Sequence, residues 1–145
     1  MKFQKLVFAL PLLVSHSIFA LTSDKPTTCP SVEALAAIGV SDAISVTEND
    51  AGSWVAYQPS NSFETTNKWT LIVTSIEATN ARDAINQANK ALPSLNLIAG
   101  PEEVKGGWGC VYASNDYSLI ADAITPPLLG DLKSFIHKFN LKTVH

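Results

Sequence analysis

Sulfur is scarce in this chain. Methionine occurs only at position 1, and Cys29 and Cys110 are the two cysteines among 145 residues. No Cys-x-x-Cys spacing exists, which argues against a dithiol redox pair. A zinc site needs about four ligands, and beyond residue 20 the chain offers two cysteines with His137 and His145, in no metal-binding spacing. The lack of internal methionine removes one type of axial iron ligand. Basic residues are also few, ten Lys and Arg against 13 Asp and Glu, for a formal charge of −3. Without a basic stripe for phosphate contact, nucleic acid and an anionic membrane surface are poor partners. No Gly-x-Ser-x-Gly elbow singles out a nucleophile. The glycines of "GGWG" precede a strand, not a helix, so a phosphate-cradling loop is missing. Glu102 and Glu103 read as solvated residues of a Gly/Pro-flanked loop. No catalytic set can be assembled, and the chain is expected not to be an enzyme.

Long apolar runs are absent apart from the N-terminus. "MKFQK" carries two lysines, "LVFALPLLVSHSIF" follows, and Ala20 offers a small residue for scission. This is the layout of an export signal over residues 1–20. The run is shorter than the ~20 apolar residues that a bilayer crossing requires, and Pro11 and His16 interrupt it. No stable membrane insertion is expected once the signal is cleaved. Cleavage leaves 125 of the 145 residues, and removing Lys2 and Lys5 leaves 8 basic against 13 acidic residues, or −5. That length is one domain. Residues 21–28 read as a flexible arm and residues 29–145 as a single globular domain.

Export places both thiols in an oxidising compartment, where an even count reads as a disulfide. Cys29–Cys110 would close a loop of about 80 residues. In "Cys29-Pro30", a haem-responsive reading competes with a plainer one, in which Pro30 opens the helix "PSVEALAAIG"; oxidised Cys29 could not ligate iron.

The helix over residues 30–38 stops at Gly39. "AISVTEN" alternates Ile44 and Val46, "SWVAYQ" is a second strand, and "PSNSFETTN" reads as a loop. "KWTLIVTSIEA" places Trp69, Leu71 and Val73 on one face and Ile72 and Ile76 on the other, so it is expected at the centre of a sheet covered on both sides. "TNARDAINQANKAL" is a helix with Asn80 as cap and Asp83 in the capping-box position. Its stripe is Ala81, Ala84, Ile85, Ala88 and Leu92, and Pro93 ends it. "LNLIAG" is a candidate short strand, so two or three strands are expected after this helix. "WGCVYAS" and "YSLIADAI" form a hairpin turning at Ser114–Asp116. After Pro126-Pro127, Leu128, Leu129, Leu132, Phe135, Ile136 and Phe139 give a last helix. The expected fold is α+β, a single antiparallel sheet of about five strands packed with two or three helices, in the order α-β-β-β-α-β-β-α, with one disulfide.

Taken together, the export signal, "TTCPSVEALAAIGV", "GSWVAY", "KWTLIVTSIEA" and "GGWGCVYAS" resemble a family of small exported Legionella-type proteins labelled hemin-binding and otherwise of unknown function. That resemblance implies hemin binding outside the cytoplasm, for iron acquisition, with hemin as ligand. It carries over no iron ligand. Residues whose chemistry could serve are His137, Tyr57, Tyr112 and Tyr117, since a tyrosinate or imidazole can hold ferric haem iron. Lys133, one turn before His137, could meet a propionate. The alternative is a secreted or periplasmic interaction module that docks a host or envelope protein through an edge strand or an aromatic face.

Overall fold

The computed structural model describes residues 24–46, 52–128, 130, 132 and 134. Residues 1–20, Lys133, His137 and His145 lie outside the described residues, as does all but a fragment of the expected last helix, of which Leu132 and Ser134 are helical. The described elements run α1 (Val32–Ile38), β1 (Asp42–Ser45), β2 (Ser53–Asn61), β3 (Trp69–Glu77), α2 (Ala81–Ala91), β4 (Asn96–Val104), β5 (Gly107–Ala113) and β6 (Ile120–Thr125). All six strands form one antiparallel sheet in the order β1-β2-β3-β6-β5-β4. The α+β class, the antiparallel sheet and the disulfide are as expected. The strand count is six, because β4 is a full strand that takes in Glu102 and Glu103 as well as "LNLIAG".

Both helix starts follow capping chemistry. The Ser31 hydroxyl accepts from the Ala34 N–H at 3.1 Å, so Ser31 is the N-cap and Pro30 precedes the helix instead of opening it. Gly39, at φ 72°, ends α1 and donates to the Leu35 carbonyl. Its left-handed backbone faces Asn89 of α2, whose amide donates to the Val40 carbonyl at 3.1 Å and accepts from the Val40 N–H at 2.8 Å. One side chain thereby satisfies both backbone groups of a residue beyond the helix end. At α2, the Asn80 side chain accepts from the Asp83 N–H, and Asp83 reaches back to the Thr79 N–H. The box therefore closes one residue earlier than its standard form.

The sheet has two covered faces. On the first, α1 and α2 bury Trp69, Leu71, Val73, Phe63, Tyr112, Leu35, Ala84, Ala88 and Leu92 in the main core. The indole N–H groups are satisfied there: Trp69 donates to the Thr65 hydroxyl and Trp54 to the Ala78 carbonyl. On the second face, Val55 and Ile72 pack with Ile44, Val46, Ile124, Leu128 and Leu132.

Three departures from the expected pattern have physical causes. Ile76 joins Val73 on the first face, because Ser75 adopts φ 65° and β3 gains one residue against β2 between Val73 and Ile76. Such a bulge inverts the alternation beyond it. In the expected loop 59–67, residues 59–61 continue β2, and Phe63 inserts into the core at φ 43°. The final strand starts at Ile120, not Tyr117, because residues 114–119 form the turn.

The first-face residues of β5 carry the N-terminal segment in register. Lys25 lies over the Trp108 ring, with Nζ 5.5 Å from the ring centroid. Cys29 is bonded to Cys110, 81 residues away. The buried Tyr112 hydroxyl donates to the Pro30 carbonyl at 2.6 Å. Pro26, within the segment 21–28, is buried. On the other side of the cross-link, Gly100 of β4 sits at φ 114°, and a Cβ there would come within 2.8 Å of Cys110 Cα and 2.6 Å of the Gly109 carbonyl oxygen.

Removing the cross-link releases a loop of this length in the unfolded chain, an effect of about 4–5 kcal/mol in the chain-entropy treatment. The Cys29→Ser/Cys110→Ser double variant is therefore expected to lose about that much stability in urea unfolding. A loss under ~1 kcal/mol would show that the loop is already constrained by other contacts.

Candidate functional site

The tyrosines considered as iron ligands do not converge. Tyr112 is wholly buried on the first face, its hydroxyl donating to Pro30, and burial pushes its pKa far up. A phenol held neutral in this way has no tyrosinate to offer a metal. Tyr57 stands opposite Ile72, on the second face. Tyr117 is in the β5–β6 turn, 64% exposed. Cys29 and Cys110 are both consumed by the disulfide. Among the described residues, no group of three His, Cys, Asp or Glu is placed to hold a metal ion, and no helix is long and apolar enough to cross a membrane.

The β5–β6 turn is built as a rigid platform. The Asp116 carboxylate accepts from the Ser118 hydroxyl at 2.7 Å, the Ser114 hydroxyl at 2.8 Å and the Ser118 N–H at 3.1 Å. These bonds favour the ionised form and hold its pKa at about 2, led by the Ser118 hydroxyl. Asp116 is thus an anion at any physiological pH. The chain reverses with Tyr117 at φ 56° and its N–H donating to the Ser114 carbonyl at 2.9 Å. A left-handed tyrosine is uncommon. Here the closed network imposes it, and the ring is turned outward.

Beside this turn runs β4, one of the two edge strands of the sheet among the described residues. Asn96, the first residue of β4, donates from its side chain to Asn115 at 2.8 Å and ties the strand to the turn. Leu97 and Ile98 follow, 48% and 45% exposed. Leu97 is registered with Tyr112 and Ala99 with Val111, so Ile98 is an extra residue, and a second shift follows between Ala99 and Glu102. Pro101 lies in that second irregularity and has no N–H to donate. Edge strands are commonly blunted by bulges, proline and charge. The far half of β4 has all three, with Glu102 and Glu103 exposed. The half next to Tyr117 has a bulge at Ile98 but no proline or charge, and it shows Leu97 and Ile98 to solvent, as the far end shows Val104.

The sequence reading did not single out Asp122. It stands in a row across the second face, between Ile72 of β3 and Val111 of β5, with Tyr57 one strand further on. Ile120 and Ile124 flank it along β6. Among the described residues no hydrogen bond or ion pair reaches its carboxyl, and burial pushes its pKa up to about 6. A signal was present: an acidic residue inside the alternation "IADAI" has to share a face with two isoleucines.

A model of a domain of unknown function, DUF4949, matches residues 28–134. The chain belongs to the DUF4949 family. The match begins one residue before Cys29 and takes in every described strand and helix, the cross-link and the Tyr117 turn. The family is one of unknown function, and nothing in the match speaks for a hemin-binding family. No curated protein and no solved structure matches the chain.

The Asp122 carboxyl makes a measurable difference to pH dependence. Its folded pKa, near 6, exceeds its ordinary value near 3.8. The folded state is therefore at no disadvantage below about pH 4, loses stability as pH rises through about 6, and stays at the lower level above that. The displacement corresponds to at most about 3 kcal/mol. Asp122→Asn is expected to match wild type near pH 4 and to exceed it at pH 7.5 in urea unfolding. A constant difference between the two proteins across that range would refute the burial of this charge.

Proposed function

We propose that this DUF4949 protein is an exported, non-catalytic interaction module that docks a partner protein through the β4 edge and the adjoining Tyr117 turn. One observation carries the reading. A mostly exposed tyrosine is held in a strained, hydrogen-bonded turn next to the start of edge strand β4, the part of that strand without proline or charge, where two aliphatic residues are exposed. Tyrosine is among the residues that dominate binding energy at protein interfaces. The disulfide supports export, since such bonds persist in oxidising compartments, as does the N-terminal segment with its basic start and apolar run.

The hemin reading has less behind it. Tyr112 is sealed in the core and Tyr57 and Tyr117 are on different parts of the sheet. His137 and Lys133 lie outside the described residues. The negative charge of residues 21–145 is also unfavourable for a dianionic porphyrin.

Replacing Tyr117 by a photo-crosslinking phenylalanine in the full chain tests the module. Envelope or host extract is expected to yield one discrete, saturable adduct that disappears in Leu97→Lys and Ile98→Lys backgrounds. An adduct indifferent to both substitutions refutes the edge as the docking site. In parallel, hemin titration is expected to give no saturable Soret shift that depends on Tyr117 or His137. A saturable shift lost in Tyr117→Phe or His137→Ala would return the function to hemin.

A further inference from the structure

We infer that the partner is an extended protein segment, basic at its N-terminal end and apolar at its C-terminal end, which adds antiparallel to β4 as a seventh strand. This rests on the interaction-module reading and specifies what that module binds. Three observations lead to it. First, β4 is the terminal strand of a sheet in which every pair is antiparallel, so its outer backbone groups face no strand among the described residues. Second, the strand is polarised along its length. Leu97 and Ile98 are exposed near its start, and Glu102 and Glu103 near its end, where Val104 closes the strand and Lys105 follows it in the turn. A segment running antiparallel passes Val104 and then the two glutamates before it reaches the aliphatic pair. Third, the surroundings carry the same sign. Asp116 beside the apolar end remains ionised, and residues 21–145 total −5. A second copy of this chain would bring like charge against like charge, whereas a basic segment is attracted.

The irregularities of β4 limit how such a strand can sit. At Pro101 no N–H is available, and the Gly100 backbone is pressed against Cys110 on its inner side. Ladder bonds therefore form within Asn96–Ala99 on either side of the bulged Ile98, where the incoming apolar side chains reach Leu97, Ile98 and the Tyr117 ring. The basic residues engage Glu102 and Glu103 through charge without a continuous ladder. Strand addition divides the work in this way, with main-chain bonds supplying affinity and side chains supplying selectivity.

The test uses the full chain and a fluorescein-labelled eight-residue peptide, two lysines followed by alternating valine and threonine, read by anisotropy. Wild type is expected to bind it with a micromolar Kd. The Glu102→Lys/Glu103→Lys variant should bind about tenfold more weakly, a change worth about 1.4 kcal/mol. That variant should in turn prefer the same peptide with glutamates in place of lysines. N-methylation of alternate amides should abolish binding. All three substituted positions are exposed or on the strand edge, and unchanged thermal unfolding of each variant confirms the fold. Equal binding of the lysine and glutamate peptides, or undiminished binding of the N-methylated one, overturns the inference. A concentration-dependent dimer in sedimentation that vanishes in Leu97→Lys also overturns it, in favour of a second copy. If no peptide binds while the Tyr117 adduct still forms and depends on Leu97, strand addition is wrong and the docking surface stands. If neither is seen, the docking surface falls as well.

Discussion

The attachment of the N-terminal segment to β5 is the constraint on which the rest of the molecule depends. It is made at successive inward positions: a cation over Trp108, a covalent bond at Cys110 and a buried hydroxyl of Tyr112 on the Pro30 carbonyl. Ser31 caps α1 immediately afterwards, so the bond to Pro30 sets where that helix begins. The helix then ends at Gly39 against Asn89, which couples it to α2. On the opposite side, β4 approaches Cys110 so closely that only a glycine fits at position 100. The cross-link thus fixes one helix and shapes the edge strand at the same place. A substitution at Gly100 would disturb the edge and the disulfide together, since a Cβ there has nowhere to go but into the Cys110 backbone.

The elements that could be read in advance are those that depend on local chemistry. The α2 cap, its apolar stripe of small residues and the β5–β6 hairpin follow from spacing alone, as does the central place of β3, with apolar residues at both parities. Bulges were not readable in this way. Nothing in "IVTSIEA" says that Ser75 adopts a left-handed backbone; tertiary pairing with β2 imposes it, and Ile76 changes face as a result. The same holds for β4, where glycine, proline and two glutamates are loop-like by composition. Pairing with β5 makes them a strand regardless, because the alternative would leave the backbone of that edge without partners.

The candidate site followed the same division. Tyr117 could be named from the sequence as one of three tyrosines, but its difference from the others is entirely one of position. Tyr112 has lost its chemistry to burial and a single hydrogen bond, and Tyr57 belongs to a different face. Leu97 and Ile98 looked like ordinary strand residues, and their exposure is a consequence of strand order: β4 lies at the edge because the connection through α2 links β3 to the far side of the sheet, leaving β6 and β5 between them. Long-range topology of that kind has no local signature.

Strain and satisfaction coincide at the Tyr117 turn as they do at the exposed Glu64 of the 62–67 turn, and Tyr117 differs in presenting an aromatic ring. A left-handed residue other than glycine costs on the order of 1–2 kcal/mol. Glycine or asparagine would avoid the strain at the same φ. The turn does not depend on the Tyr117 side chain for its closure: Ser114, Asp116 and Ser118 bond to one another and to the backbone. The tyrosine ring is therefore neither needed to close the turn nor buried to stabilise the core. In the proposed module, this strained and exposed position leaves the Tyr117 ring to a partner. The adjoining exposed aliphatics give that contact a direction, along β4.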